Sequence, residues 1–463
     1  MRKFLVPLTR NPISLVGTAL MLISAILFAS LLAIELLGAA GNPYTGIITY
    51  LILPAGGVVG FILVVVGIRR ERKRAPDASF PVIDLNVESV RGRLIILLVV
   101  VSVGAVVLAA ATFEGFHVME SQSFCGETCH SVMGPEYAAF QRSPHARVAC
   151  VECHIGSGTE WMVKMKLNGA WQMISTILDL YERPIPTPVH NLRPSQGTCE
   201  ECHWPETFYG VRSKVITRYA EDEANTELKT ILLMKTGGND FSGSHGIHWH
   251  MDPDIQIRYR ADENRQTMFE VELTEADGTV RTFLKQTAKD SAGEPGEWRV
   301  MDCIDCHNRP THIYHRAAEA VDLALQRNFV SKDLPFIRRE GERAIRAEYV
   351  TQEEARTGIS AHLTEFYQRE YPQLAAKRAD DIEEAGRVLG AFYQGNVYPH
   401  MNIEWGTYPD HSGHHFSPGC NRCHAGDHQA DNGEVINADC SVCHTIVAWD
   451  EASPEILEMI PRD

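Results

Sequence analysis

Cys420-Asn-Arg-Cys423-His424 is followed fifteen residues later by Cys440-Ser-Val-Cys443-His444, so one five-residue pattern occurs twice in a short stretch of the tail. Two thiols at that spacing reach the two vinyl groups of one porphyrin, and the adjoining histidine falls beneath the iron as its proximal ligand. Working outward, the pattern recurs at Cys303-Ile-Asp-Cys306-His307, Cys199-Glu-Glu-Cys202-His203 and Cys150-Val-Glu-Cys153-His154. It appears once more, with one extra residue, at Cys125-Gly-Glu-Thr-Cys129-His130. These six sites use all 12 cysteines of the chain. Structural zinc, a thioredoxin-like dithiol and ordinary disulfides also use C-x-x-C, but none needs a histidine directly after the second cysteine. The spacing therefore predicts six covalently attached haem c groups, with His130, His154, His203, His307, His424 and His444 as metal ligands.

The 463 residues divide by composition near Phe113. Before it lie three apolar stretches, Ile13 to Leu37, Gly46 to Ile68 and Leu94 to Phe113, each long enough to cross ~30 Å of hydrocarbon as a helix. Buried core helices would carry more charge over such lengths. Arg2, Lys3 and Arg10 precede the first stretch, and Arg69, Arg70, Arg72, Lys73, Arg74, Arg91 and Arg93 lie between the second and third, whereas Gly38 to Thr45 has no charge. Basic residues favour the cytoplasmic side, so the N-terminus is expected inside a bacterial inner membrane and residues from Glu114 onward in the periplasm. Cysteines meet oxidising conditions there. The first stretch has no small-residue cleavage site behind it and is expected to remain as an anchor.

The formal net charge is −16. Residues 1 to 113 carry 10 Lys and Arg against 5 Asp and Glu, and the remainder carries 33 against 54, a formal charge of −21. Partners of the outer part should therefore present basic faces, although solvation of an exported surface accounts for the same excess. Charge and location exclude nucleic acid.

Four segments follow: a three-helix transmembrane anchor at 1–113, a tri-haem module at 114–205, a small β-rich insertion at 206–300 and a helical module with three haem sites at 301–463. Ile255-Gln-Ile-Arg-Tyr-Arg260, Met268-Phe-Glu-Val-Glu-Leu273 and Thr279-Val-Arg-Thr-Phe-Leu284 alternate as strands do, with Asp277-Gly278 marking a hairpin. Helical patterns run over Trp161 to Tyr181, Arg316 to Arg327, Pro335 to Tyr349, Glu353 to Glu370 and Ala379 to Tyr393.

A haem that only passes electrons has both axial positions filled, so six further ligands are needed. Fourteen of the 20 histidines lie outside the motifs, and they cluster beside them. His145, His190, His248, His312, His414 and His428 are the expected second ligands. A single histidine is more often a hydrogen-bonded surface residue, but the surplus as a whole matches the need. Met133, three residues after His130, is a thioether candidate at the first site.

Glu120-Ser-Gln-Ser-Phe-Cys125, Pro135-Glu-Tyr137, Ser143-Pro-His145 and the second motif resemble the NapC/NirT family of membrane-anchored multihaem quinol dehydrogenases over residues 110 to 205. His190-Asn-Leu-Arg-Pro, Cys202-His-Trp-Pro, Gly246-Ile-His248-Trp-His250, Cys306-His-Asn-Arg-Pro and the fifth motif resemble the larger inner-membrane members of metal-reducing and related bacteria. The implied fold is a membrane-anchored multihaem cytochrome c, with three transmembrane helices plus a mainly α, loop-rich periplasmic haem domain with a small β insertion. In smaller members the haem nearest the membrane takes a methionine, and a lysine and an acid on the helix after the second motif form the quinol site. Met133, Lys164 and Lys166 occupy comparable places. Gln172 stands where the acid would be, and an amide cannot accept a proton. Glu120, Glu160 or Glu35 is left for that role, Glu35 as a carboxylate near the outer end of the first span. Two spans beyond the usual one suggest a partner membrane subunit or a larger quinone surface.

The resemblance implies a carrier that takes electrons from menaquinol and hands them to periplasmic cytochromes or reductases. The alternative is an electron-transfer subunit of a larger respiratory complex whose partner oxidises the quinol. A terminal reductase of nitrite or hydroxylamine would need an open iron, which the histidine surplus opposes.

Overall fold

The computed structural model describes residues 11–36, 52–74, 121–128, 130–155, 159–189, 194–204, 210–237, 246–287 and 294–458, with scattered positions from 86 to 120. The chain forms two compact units, Met1–Cys125 with Ala149–Trp171, and Gly126–Val148 with Gln172–Asp463.

In the first unit, helices α1 (Pro12–Leu36) and α2 (Leu53–Arg74) pack along their lengths. Ser14 opposes Gly67, Gly17 opposes Gly60 and Ser24 opposes Gly56, so the two run antiparallel. A Cβ on Gly17 would lie 2.5 Å from the Gly60 carbonyl oxygen; the missing side chains let the backbones touch, as small residues do between membrane helices. Among the described residues these two helices, rather than the three expected, are long and apolar enough to span a bilayer, at mean hydropathies of 2.2 and 1.7. The third stretch, 94–113, falls largely outside the described residues.

Helix α3 (His130–Gln141) belongs to the second unit, and α4 (Thr159–Ile177) begins in the first and ends in the second. The second unit holds a bundle of α5 (Ala317–Gln326), α6 (Ile337–Arg346), α7 (Gln352–Glu370) and α8 (Ala379–Asn396), where the helical patterns predict them. Ala317, Ala320, Val321, Ala324 and Leu325 recur at i, i+3, i+4, i+7 and i+8 and are all buried, the stripe that turns a helix onto a core. They meet Ile345, Leu363, Tyr367 and Leu389. Through this core runs one buried ion pair: Asp322 of α5 accepts from Arg338 Nε, whose other edge donates to Glu342.

The unit also contains two antiparallel sheets, built from β1 (Gly210–Tyr219), β2 (Glu227–Gly237), β3 (Gln256–Ala261), β4 (Met268–Thr274), β5 (Val280–Lys285), β6 (Arg299–Val300), β7 (His428–Ala430) and β8 (His444–Glu451). Their orders are β1-β2-β8 and β6-β3-β4-β5-β7. In β3, Ile257, Tyr259 and Ala261 point inward while Arg258 and Arg260 face out, directly across from Glu272 and Glu270; opposite charges at such positions support pairing. The turn after β4 contains Gly278 at φ +84°, a conformation glycine adopts without steric cost. β1 and β2, which the alternation did not single out, also lie within 206–300, and the tail supplies β7 and β8, so these sheets are completed by residues beyond 400. Strand β8 starts on a motif histidine, where attachment chemistry rather than alternation dictates the residues.

Candidate functional site

All described cysteines are free thiols, and thiols of different motifs lie beside one another. Cys150 is hydrogen-bonded with Cys125 and Cys303 with Cys199. Cys306 interacts with Cys420 and Cys423, and Cys420 with Cys443. In the second unit the third, fourth, fifth and sixth motifs thus follow one another in space as they do in sequence.

Four motif histidines each face a second imidazole. His203 faces His145 with ring centroids 6.0 Å apart, His307 faces His248 at 6.4 Å, His424 faces His250 at 5.8 Å and His444 faces His414 at 6.0 Å. An imidazole–metal–imidazole sandwich with bonds of about 2 Å sets its ring centroids about 6 Å apart. The pairs therefore fit an iron between them. Among the described residues no group of three or more His, Cys, Asp or Glu gathers as a structural zinc would need.

The tautomers agree with this. His248 Nδ1 lies 2.7 Å from the Thr236 carbonyl oxygen, His250 Nδ1 2.6 Å from that of Ile247, His424 Nδ1 2.7 Å from that of Asn437 and His145 Nδ1 3.3 Å from that of Pro310. A carbonyl oxygen only accepts, so each Nδ1 carries the proton and each Nε2 keeps its lone pair for a metal. Burial lowers the pKa of His250, His307 and His444, favouring the neutral, ligating form. The short turn Ile247–Met251 places His248 and His250 on either side of Trp249 and so serves two motifs.

His145, His248 and His414 thus stand opposite motif histidines. His428 does not. It is fully buried at the start of β7, with Nδ1 2.9 Å from an Asp427 carboxylate oxygen and Nε2 2.9 Å from the Met268 carbonyl oxygen. Both nitrogens are taken up by oxygens of the protein. Opposite His424 stands His250, which the cluster at 245–250 signalled but did not single out. His312 Nδ1 lies 3.0 Å from the Glu136 carbonyl oxygen and 3.1 Å from its carboxylate. His190 and Cys129 fall outside the described residues.

The fourth motif is held by a capping box: Asp302 accepts from the Ile304 N–H at 3.1 Å, and Asp305 from the Asp302 N–H at 2.8 Å. Such reciprocal bonds satisfy the free donors of a first helical turn, which sets the angle at which Cys303 and Cys306 are presented. Of the residues expected around a quinol, Met133 is half-buried on α3, Lys164 is exposed on α4, and Lys166 and Glu160 also lie on α4. Glu35 lies on α1, Glu120 is half-buried ahead of the first motif, and Gln172 is exposed on α4.

Residues 88–184 match the N-terminal region of the NapC/NirT cytochrome c family. Cytochrome c-type protein ImcH of Geobacter sulfurreducens is 39% identical over 448 residues, spanning 94% of this chain and 88% of its own length. Cytochrome c-type protein NrfH of Wolinella succinogenes is 36% identical over 80 residues, 16% of this chain and 44% of its own length. No solved structure matches the chain. Paired imidazoles beside paired thiols are what such cytochromes require, and with this relationship over nearly its whole length the chain belongs to the NapC/NirT family of membrane-anchored c-type cytochromes, which bind haem c covalently.

Proposed function

We propose that the chain carries six haem c groups and conducts electrons from membrane quinol, with menaquinol as the donor, to periplasmic acceptors. The observation that carries this reading is the set of four facing imidazole pairs whose Nδ1 protons are directed at carbonyls where those bonds are formed. Haem c, once attached, supplies reversible one-electron storage. The chain's part is to fix it: twelve thiols would tether it, and His145, His248, His250 and His414 would hold it together with the motif histidines they face, keeping small ligands away. We assign His312 the same role by its orientation, and Met133 to the first site by position. His190 is proposed as a ligand on sequence grounds.

At the membrane, Lys164 and Lys166 on α4 would hold the quinol oxygens, and Glu120 would accept a proton as the quinol gives up two electrons and two protons to become quinone. Residues from 114 onward lie outside in this reading, so the protons leave on that side. Replacing both Lys164 and Lys166 with alanine is expected to slow haem reduction by a menaquinol analogue about tenfold, roughly 1.4 kcal/mol, with haem content unchanged. An unaltered rate would place the quinol elsewhere. The purified wild-type protein should reduce its own haems with that analogue; if it stays oxidised, the chain is instead the electron-transfer subunit of a larger membrane complex.

The acceptor is proposed to be a protein with a basic face. From Ala425 to Glu458 the chain has eight carboxylates and no lysine or arginine, and the sixth motif sits inside this run with Cys440 exposed. Electron delivery to a basic carrier should therefore slow as ionic strength rises. A rate indifferent to salt would count against this docking mode.

A further inference from the structure

Arg422 is the third residue of the fifth motif, between Cys420 and Cys423, and it is buried. A charged side chain pointing inward at an attachment loop needs a reason, since burying an uncompensated cation is costly. Its guanidinium is fixed at three points. Nε donates to the Gly419 carbonyl at 2.9 Å, Nη1 to the Arg265 carbonyl at 2.8 Å and Nη2 to the Asp305 carbonyl. Asp305 is itself the third residue of the fourth motif, so one side chain ties the two attachment loops together. All three partners are neutral carbonyls, and none cancels the charge by contact.

The surroundings do not cancel it either. The Asp305 carboxylate accepts from Tyr259 O–H and from the Asp302 N–H, and lies 3.8 Å from Arg265 and 3.6 Å from Arg299. Arg299 also lies 3.4 Å from Asp302. Three guanidiniums thus meet two carboxylates between the motifs, an excess of one positive charge within this network, in which Arg422, Asp302 and Asp305 are buried and Arg299 is partly exposed. Arg422 lies against both loops, donating to the carbonyl of Asp305 within the fourth motif and to that of Gly419, which directly precedes the fifth.

We propose that Arg422 is a positioning residue between the fourth and fifth haem sites, a fixed buried cation that holds the two attachment loops together and favours an electron residing at either of them. A fixed positive charge in a poorly polarisable interior stabilises the electron-rich state of a neighbouring redox group. Electrons entering from the third site or leaving by the sixth would then pass through a pair of higher potential.

This inference rests on the six-haem relay reading, and full-length protein in detergent separates the two. Haem content is measured first, then a potentiometric titration is followed by visible absorbance for wild type, Arg422→Gln and Arg422→Lys. Six haems are expected in each. In Arg422→Gln two of the six one-electron steps should move to lower potential, while in Arg422→Lys they should stay near the wild-type values because the charge remains. Arg265→Gln removes one charge of the same cluster outside any motif and should give the same downward shift. A glutamine titration that superimposes on wild type overturns the proposal, as does an equal shift in the lysine variant. Loss of a haem from Arg422→Gln would assign Arg422 to attachment instead and overturn it too, unless Arg265→Gln, with all six haems, shows the shift. A wild-type protein with fewer than six haems fails the relay reading, whereas a full complement with unmoved potentials fails this inference alone.

Discussion

Asp322→Ala is expected to lower the stability of the second unit by about 3 kcal/mol, because removing one partner of a buried ion pair leaves the other charge desolvated. Asp322 sits on α5 inside the helical core, accepting from Arg338 Nε and from the Tyr219 N–H at 3.3 Å. Burial raises its pKa, and Arg338 holds that rise back. The effect belongs at the lower end of the ~3–5 kcal/mol seen for broken buried pairs, since Glu342 still accepts from the far edge of the Arg338 guanidinium. Asp322→Asn, which keeps an acceptor of the same shape, should cost less. Denaturant unfolding followed by far-ultraviolet circular dichroism measures both; a loss under about 1 kcal/mol for the alanine variant would mean that Arg338 finds water or another acceptor.

The second large effect concerns the metal ligands. On the proposed six-haem reading, His250→Ala should remove the second ligand of the haem held by His424, so that one haem turns high-spin and takes up carbon monoxide or cyanide while the rest stay low-spin. The facing geometry at 5.8 Å is the reason. His428→Ala should do the opposite: no iron opens, but the protein is less stable, because the bonds to Asp427 and Met268 that fasten β7 disappear. An open iron in the His428 variant, with none in the His250 variant, would reverse the assignment.

These two histidines also show where the sequence could be read and where it could not. Attachment motifs are legible because covalent chemistry fixes their spacing whatever the fold. Second ligands arrive from elsewhere in the chain, and sequence proximity is a poor guide to them. His428, four residues after His424, looks convenient, yet strand pairing between Lys285 and His428 turns it into a sheet. His250 is more than 170 residues from His424 in sequence and lies opposite it in space. The same limit applies to the strands. Ile257, Tyr259 and Ala261 alternate visibly because only one face of β3 is buried. Half of β1 is exposed and only Tyr219 is fully buried, so its residues carry no such imprint. The bundle helices were the easiest elements, since Ala317 to Leu325 follow a helical period against a protein core rather than a porphyrin.

In the proposed relay the turn Ile247–Met251 makes the fourth and fifth stations share one mounting, since His248 faces His307 and His250 faces His424. His248 and His250 are separated by a single tryptophan, so thermal breathing of that turn displaces both in concert and their mutual spacing varies little. The same economy removes redundancy in that reading: one break in this bracket would interrupt the circuit at two stations.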